Sequence, residues 1–539
     1  LKASGVIECL SMGQQIHEEI VGRSLLGRSV LLGTTLVGMY AKCGEHDKAY
    51  QVLEELPIRN VFSWNALIGG YAEWEQGQKA FVCFKCMQGE GLSPDAVTFT
   101  CILNVCSSIV AIGIAEEIHK EISSRGLLEK DVLLGNALVD MYVKCGMLSK
   151  AQKVHDEHFS RNVVTWNALI SGYAQQEQGH KALNCFEQMQ RKGLSPDAIT
   201  YVCILKACGS IGTLYKGEQI HDEIVNRGLL ENNVVLATAL VDMYAKCGAL
   251  VKAHSGFEEI RVRNIVSWNA LITGYVQHGQ EHEALNSFER LRTEGFLPNA
   301  VTFTCILKAC GSVGAIDKGK QIHDEIVNLG LLKEDLVLGN ALVDMYAKCG
   351  VIGRAQQVHD ELCVRDVVSW NALITGYAQQ GQGKEALYCF HLMQGEGFSP
   401  DGMTLLGVLN ACSHSGQFEE AQMYFSNMSQ VYGLIPDVEH HTCIVVALGC
   451  IGCFDKAMSV ISTIPSSYDL PLWLALMNAC RKWGNVELAK LAFDQTLKLD
   501  HNCAAAYVLM GYIYSAACME EDAQKAEAMS LNEGALSLM

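Results

Sequence analysis

The chain has 539 residues, 49% of them hydrophobic and 19% charged, with a formal net charge of −18. That acidic balance excludes strong nonspecific attraction to nucleic acid or an anionic membrane, which cationic side chains drive, although it leaves room for a basic stripe on one face. Only 8 prolines stand against 49 glycines, a helical composition with frequent helix ends, and no run of eighteen apolar residues suggests a membrane span.

The chain opens at Leu1, without a methionine and in the middle of a repeat, so a fragment is expected whose targeting peptide lies outside it. The first complete landmark is Ser63-Trp64-Asn65-Ala66-Leu67-Ile68. It returns at Thr165–Ile170, Ser267–Ile272 and Ser369–Ile374, each time after 102 residues. A fixed period kept over most of a chain marks stacked repeats, which bury their apolar faces against neighbours in a solenoid.

Each period holds three units of 31, 35 and 36 residues. Every unit shows two apolar runs at helical spacing with a glycine-bearing break between them, so each is predicted to be a helical hairpin, helix A then helix B. Residues 1–29 are a partial third-type unit. First-type units cover 30–60, 132–162, 234–264 and 336–366. Second-type units cover 61–95, 163–197, 265–299 and 367–401. Third-type units cover 96–131, 198–233, 300–335 and 402–437. Pro94, Pro196, Pro298 and Pro400 fall just before unit boundaries, where a helix must have ended. The pattern degrades afterwards into a divergent first-type unit at 438–469 and helical hairpins over 470–539. Among 23 cysteines, Cys43, Cys145, Cys247 and Cys349 share one register and Cys106, Cys208, Cys310 and Cys412 another. Thiols in repeat register read as small core residues rather than a disulfide framework, and imply a reducing compartment.

The three unit types closely resemble the S, P and L motifs of plant organellar pentatricopeptide repeat proteins of the PLS subclass. Asp242-Met243-Tyr244-Ala245-Lys246-Cys247-Gly248 matches the S motif and Trp64–Ile68 the P motif. Leu307–Gly311 with Gly319-Lys320-Gln321-Ile322-His323 matches the L motif. Residues 438–539 resemble the closing S-type and E-type motifs, with departures at His441, where a tyrosine is usual, and at Gly449-Cys450-Ile451-Gly452. The chain stops near the end of the second E-type motif. The expected fold is all-α, a right-handed solenoid with helix A on the concave face.

The resemblance implies specific binding of single-stranded organellar RNA, in which the fifth and last residues of a motif read one base together. Short amides, hydroxyls and carboxylates suit that task because they offer fixed donors and acceptors to a splayed base. Carried onto this sequence, the pairs are Thr34 with Asn60 (A), Asn65 with Asp95 (U), Asn136 with Asn162 (C or U) and Asn167 with Asp197 (U). Then come Thr238 with Asn264 (A), Asn269 with Asn299 (C or U), Asn340 with Asp366 (U) and Asn371 with Asp401 (U). The L pairs Thr100/Asp131, Val202/Asn233, Thr304/Asp335 and Leu406/Asp437 are unspecified, and Thr442 with Asp469 in the closing unit suggests G. The expected target is 5′-AUNYUNAYNUUNG-3′.

In the family the second residue of a motif is an apolar wedge between bases. Here those residues are Phe62, Val97, Leu133, Val164, Ile199, Val235, Val266, Val301, Val337 and Val368; packing at the helix start accounts for them equally well. Lys42, Lys144, Lys246 and Lys348 recur at one position of each S unit, as phosphate contacts or as solvated lysines favoured by the helix C-terminus.

Six His-x-Glu copies (His17, His119, His155, His221, His323, His359) and the Cys-x-x-Cys pairs Cys83/Cys86 and Cys450/Cys453 mimic a zinc deaminase. Neither cysteine pair follows a proline, and the histidines sit at repeat positions, so no catalytic residue, metal or cofactor is expected. Trp64, Trp166, Trp268 and Trp370 read as core rather than as stacking platforms. The resulting expectation is a site-recognition factor for C-to-U editing, in a mitochondrion or chloroplast, with the deaminase supplied by a protein partner or by a domain beyond Met539. An RNA stability or splicing factor is one rival. A protein-binding scaffold, favoured by the acidic charge, is the other.

Overall fold

The computed structural model describes residues 10–526 apart from 24, 27–28, 130, 158–161, 231–232, 334, 463–469 and 502. Among these the only regular structure is helical. The chain divides into two compact bodies, Leu1–Gly274 and Tyr275–Met539.

Each hairpin follows from its sequence. S-type helices A run Val30–Lys42, Val132–Lys144, Val234–Lys246 and Leu336–Lys348. They end at Lys-Cys-Gly because Gly44, Gly146, Gly248 and Gly350 take φ of +76° to +79°, which a side chain disfavours. The partner helices B are short, His46–Glu55, Leu148–Glu157, Leu250–Glu258 and Ile352–Glu361. P-type units pair Val61–Glu73 with Gly77–Gly89, and Val163–Gln175 with Gly179–Arg191. L-type units pair Ala96–Ser108 with Ile112–Ser124, and Ala198–Ser210 with Leu214–Asn226. The later P and L units repeat these spans.

Within the first body, each helix A from Val30–Lys42 to Ala198–Ser210 packs against the helix A of the next unit, and each from Val30–Lys42 to Val234–Lys246 packs against its own helix B. In the second body the same holds from Ala300–Val313 to Val438–Cys450, and on to Leu470–Trp483 and Ala504–Ala516. Within each body, helices A therefore form one layer and helices B a second. The core lies between them and is rebuilt in every unit. Trp64, Leu67, Ile68, Ala80 and Met87 are buried in one P unit, and Trp166, Leu169, Ile170, Ala182 and Met189 in the next. Removing such a tryptophan costs about 3–5 kcal/mol in a packed core. Cys106, Cys208, Cys310 and Cys412 are fully buried, as small core residues should be, and every described cysteine is a free thiol. Among the described residues no helix is long and apolar enough to cross a membrane.

Candidate nucleic-acid interface

The candidate positions cluster where one unit hands over to the next. The last residue of each S and P unit is the N-cap of the following helix A. Its side-chain oxygen accepts the N–H of the third helical residue: Asn60 from Ser63 (2.9 Å), Asp95 from Thr98 (2.9 Å), Asn162 from Thr165 (3.0 Å) and Asp197 from Thr200 (2.8 Å). Asn264, Asn299, Asp366 and Asp401 do the same with Ser267, Thr302, Ser369 and Thr404. Capping selects Asn, Asp, Ser or Thr because these offer an acceptor at the right reach. Ser29 meets that need ahead of Val30–Lys42. Capping thus explains a short polar residue at this position, but not the restriction to Asn and Asp.

The fifth residue of helix A reaches the same cap. Asn65 Nδ2 donates to Asp95 Oδ1 at 2.9 Å, Asn167 Nδ2 to Asp197 Oδ1 at 3.0 Å and Asn371 Nδ2 to Asp401 Oδ1 at 3.0 Å. In an S unit, Asn340 Nδ2 spans both oxygens of Asp366 at 3.0 and 3.1 Å. The pair Asn136/Asn162 is reversed: Asn162 Nδ2 donates to Asn136 Oδ1 at 3.1 Å. The reversal follows from capping. Asn162 accepts the Thr165 N–H on Oδ1 and turns its NH2 to Asn136, which answers with its carbonyl, so both polar ends of the cap amide are used. An aspartate offers acceptors only, so it takes the amide N–H of the fifth residue, at Asp95, Asp197 and Asp401 on the same Oδ1 that caps the helix. The cap residue therefore sets which way the fifth-residue amide faces.

Burial pushes the Asp95 carboxyl up. Hydrogen bonds from the Thr98 N–H, the Asn65 amide and the Thr98 hydroxyl outweigh it and hold the group below the usual carboxylate value. Asp197 is held down in the same way by Thr200 and Asn167. Both stay anionic acceptors near neutral pH.

The threonine pairs differ. The hydroxyls of Thr34 and Thr238 are buried without a hydrogen-bond partner, and Asn60 and Asn264 cap without being joined to them. Asn269 lies in the first body and Asn299 in the second. Thr442 donates to its own backbone at Val438 O (2.7 Å), and its expected partner Asp469 lies outside the described residues. In the L units, Thr100 likewise turns to Ala96 O (2.8 Å), while Val202 and Leu406 carry no polar group.

The second residues stand open to solvent. Phe62, Val97, Leu133, Val164, Ile199, Val235, Val266, Val301, Val337 and Val368 are all 54–72% exposed, so packing at the helix start does not account for them. Single exposed apolar residues are ordinary, but one at the same position of every unit is not. Leu31 (74%) and Met403 (58%) extend the series by one unit at each end. Their register was the signal that could have named them. The series stops at Glu439, the second residue of the closing S unit, which is exposed and charged.

Comparison with known proteins places this geometry. The PPR repeat family profile matches residues 59–108, 161–210, 263–312 and 365–413, and the PPR repeat profile matches 34–61, 136–157, 235–265, 301–331 and 404–430. A pentatricopeptide repeat-containing protein of Arabidopsis thaliana is 36% identical over 527 residues, covering 97% of this chain and 72% of the relative. The chain belongs to the pentatricopeptide repeat family. A relative from the same plant named as mitochondrial is 33% identical over 516 residues, with 96% of this chain and 74% of the relative covered. One named as chloroplastic is 34% identical over 534 residues, with 99% and 66% covered. Among solved structures, the pentatricopeptide repeat protein PPR10 in complex with an 18-nt psaJ RNA element aligns at a TM-score of 0.60 and 17% identity. That alignment covers 94% of this chain and 85% of PPR10. The fold is thus the α-solenoid of helical hairpins.

In this pentatricopeptide repeat chain the recurrent lysines are not bare charges. Lys144, Lys246 and Lys348 each sit 2.8 Å from an aspartate one turn earlier, Asp140, Asp242 and Asp344. Gly38 stands at the corresponding place before Lys42. Exposed pairs of this kind are worth about 0–1 kcal/mol, so a phosphate can displace the aspartate.

The residues set aside as decoys serve the repeats. Trp64, Trp166, Trp268 and Trp370 are at most 2% exposed and cannot stack on a base. His17, His119, His221 and His323 put Nδ1 2.8–2.9 Å from the hydroxyls of Tyr40, Tyr142, Tyr244 and Tyr346, tying each L-type helix B to the next S-type helix A. His155 and His359 lie edge-on to Trp166 and Trp370 with ring centres 4.3 Å apart. Cys83 is buried, and burial pushes its thiol up to about 12, far from a metal-ready thiolate. Among the described residues no three His, Cys, Asp or Glu side chains gather as a metal site.

Proposed function

We propose that this chain binds single-stranded RNA of a plant organelle, one base per reading unit. On this reading it is a site-recognition factor for C-to-U editing, and a partner protein supplies the deaminase in trans. The observation that carries the reading is the coincidence, unit after unit, of an amide–cap pair with an exposed apolar residue three positions earlier on the same helix. Bases slot between successive second residues, such as Phe62 and Val97, and present a Watson–Crick edge to the pair below. Lys42, Lys144, Lys246 and Lys348 meet phosphates by exchanging them for their aspartates or, at Lys42, directly.

The RNA held by PPR10 supports RNA as the ligand class, and relatives named as mitochondrial and chloroplastic support an organelle. The S-P-L order of the units and the closing E-like hairpins support the editing role. The target read from the pairs is 5′-AUNYUNAYNUUNG-3′, in which the final G rests on Thr442 and Asp469.

The test is equilibrium binding of the chain to that RNA and to a scrambled RNA of equal composition, at two salt concentrations. Selective binding that survives the higher salt is expected, because base contacts lose less to salt than phosphate contacts do. Equal binding to both RNAs overturns the reading.

A further inference from the structure

Three of the asparagines assigned to bases in P units, Asn65, Asn167 and Asn371, are held at both ends, and the second holder belongs to the next L unit. Thr98 Oγ1 lies 2.7 Å from Asn65 Oδ1, and Thr200 and Thr404 lie 2.6 Å from the Oδ1 atoms of Asn167 and Asn371. The same hydroxyls lie 2.8–2.9 Å from the Oδ1 of Asp95, Asp197 and Asp401. Asparagine, cap aspartate and threonine form a closed set of three in each case. The threonine is fully buried, and its own N–H is already committed to the cap.

S units lack this arrangement. The residue at the threonine's place after an S unit is Ser63, Thr165, Ser267 or Ser369. Its hydroxyl donates to the backbone carbonyl of the cap residue, Asn60, Asn162, Asn264 or Asp366, at 2.8–3.0 Å. The consequence is visible in the fifth residues. Asn340 Oδ1 and the hydroxyls of Thr34 and Thr238 are buried without partners.

We infer that Thr98, Thr200 and Thr404 are positioning residues for base recognition by the preceding P units. An amide torsion is intrinsically broad. In these three P units the aspartate anchors Nδ2, and the threonine hydroxyl, whose single proton is shared between the asparagine and aspartate Oδ1 atoms, faces Oδ1, so swinging or flipping the amide loses contacts at both ends. In S units only one end is anchored, or none. L units, whose own fifth residues offer a base a back-bonded Thr100 or the apolar Val202 and Leu406, thereby sharpen recognition by their neighbours. P units discriminate stringently and S units tolerate substitution. This inference rests on the proposed RNA reading.

The test uses the full chain and the target RNA with U or C at the fifth nucleotide, the one assigned to Asn167. Wild-type protein is measured first against target and scrambled RNA; failure to distinguish them ends the RNA reading and this inference with it. Given that discrimination, Thr200→Val lowers the U-over-C preference at nucleotide 5 by about fivefold, the worth of one hydrogen bond. It leaves the preference at nucleotide 2 unchanged, and Thr200→Ser restores nucleotide 5. Thr165→Val, which removes a hydroxyl bonded to a cap backbone carbonyl, leaves the preference at nucleotide 4 unchanged. Melting curves confirm that both valine variants fold. Undiminished preference at nucleotide 5 in Thr200→Val, or an equal loss at nucleotide 4 in Thr165→Val, overturns the inference.

Discussion

At the scale of single residues, the reading pairs are organised by helix capping. A cap residue must present an acceptor to the third N–H of the next helix. An aspartate, which has no donor, does so and accepts from Asn65, Asn167, Asn340 or Asn371, whereas Asn162 does so and donates its NH2 to Asn136. Replacing the cap therefore turns the fifth residue around. Asn162→Asp is expected to reverse the Asn136 amide and to move the preference at nucleotide 4 from C towards U, with the helix cap intact. Competition binding with RNAs that differ only at that nucleotide checks it, and an unchanged preference removes the link between cap and readout. The paired residues were legible in the sequence because they recur at one register. Their orientation was not, since it depends on how each oxygen and N–H is shared across a unit boundary. The i, i+4 spacing of Asp140/Lys144, Asp242/Lys246 and Asp344/Lys348 was equally visible in the sequence, and the structure turns it into ion pairs.

At the scale of helices, the hairpins and their breaks could be read from apolar periodicity and glycine. The turn between helices A and B needs a left-handed residue, which Gly212, Gly314 and Gly416 supply in three L units with φ of +66° to +72°. The first L unit has Val110 there at φ +54°. A β-branched residue in that region is strained, by a cost on the order of 1–3 kcal/mol. Val110→Gly is expected to raise stability by about 1 kcal/mol, measured by chemical denaturation; no gain would show that the turn relaxes around valine. The histidine–tyrosine ties add a pH dependence. Burial holds His17, His119, His221 and His323 below the ordinary imidazole value. As pH falls below about 6.5 the unfolded chain binds protons first, so stability present above that pH is lost on the way down to the folded values. The melting temperature should fall as the pH drops below about 6.5. The triple change His119→Gln, His221→Gln and His323→Gln should flatten that slope.

At the scale of the molecule, the proposed RNA binding by a chain of net charge −18 depends on placed contacts rather than on its overall field. The fold class was legible from the 102-residue period alone, because stacked hairpins have few other ways to bury repeated apolar faces. What periodicity could not decide was whether the second residue of helix A packs or faces solvent. Both are open to a helix start, and only the neighbouring hairpin settles it. That residue is exposed in each unit from Leu31 to Met403 and gives way to Glu439 in the closing unit, which supports the proposed base wedges.

The central claim is that S and P units read bases while L units do not read their own. Selection from a pool of random single-stranded RNA by the full chain, followed by sequencing of the bound fraction, tests it most directly. The account predicts enrichment matching A-U-N-Y-U-N-A-Y-N-U-U, with an unselected base at every third place. Enrichment without that three-base rhythm, or no enrichment at all, would contradict it.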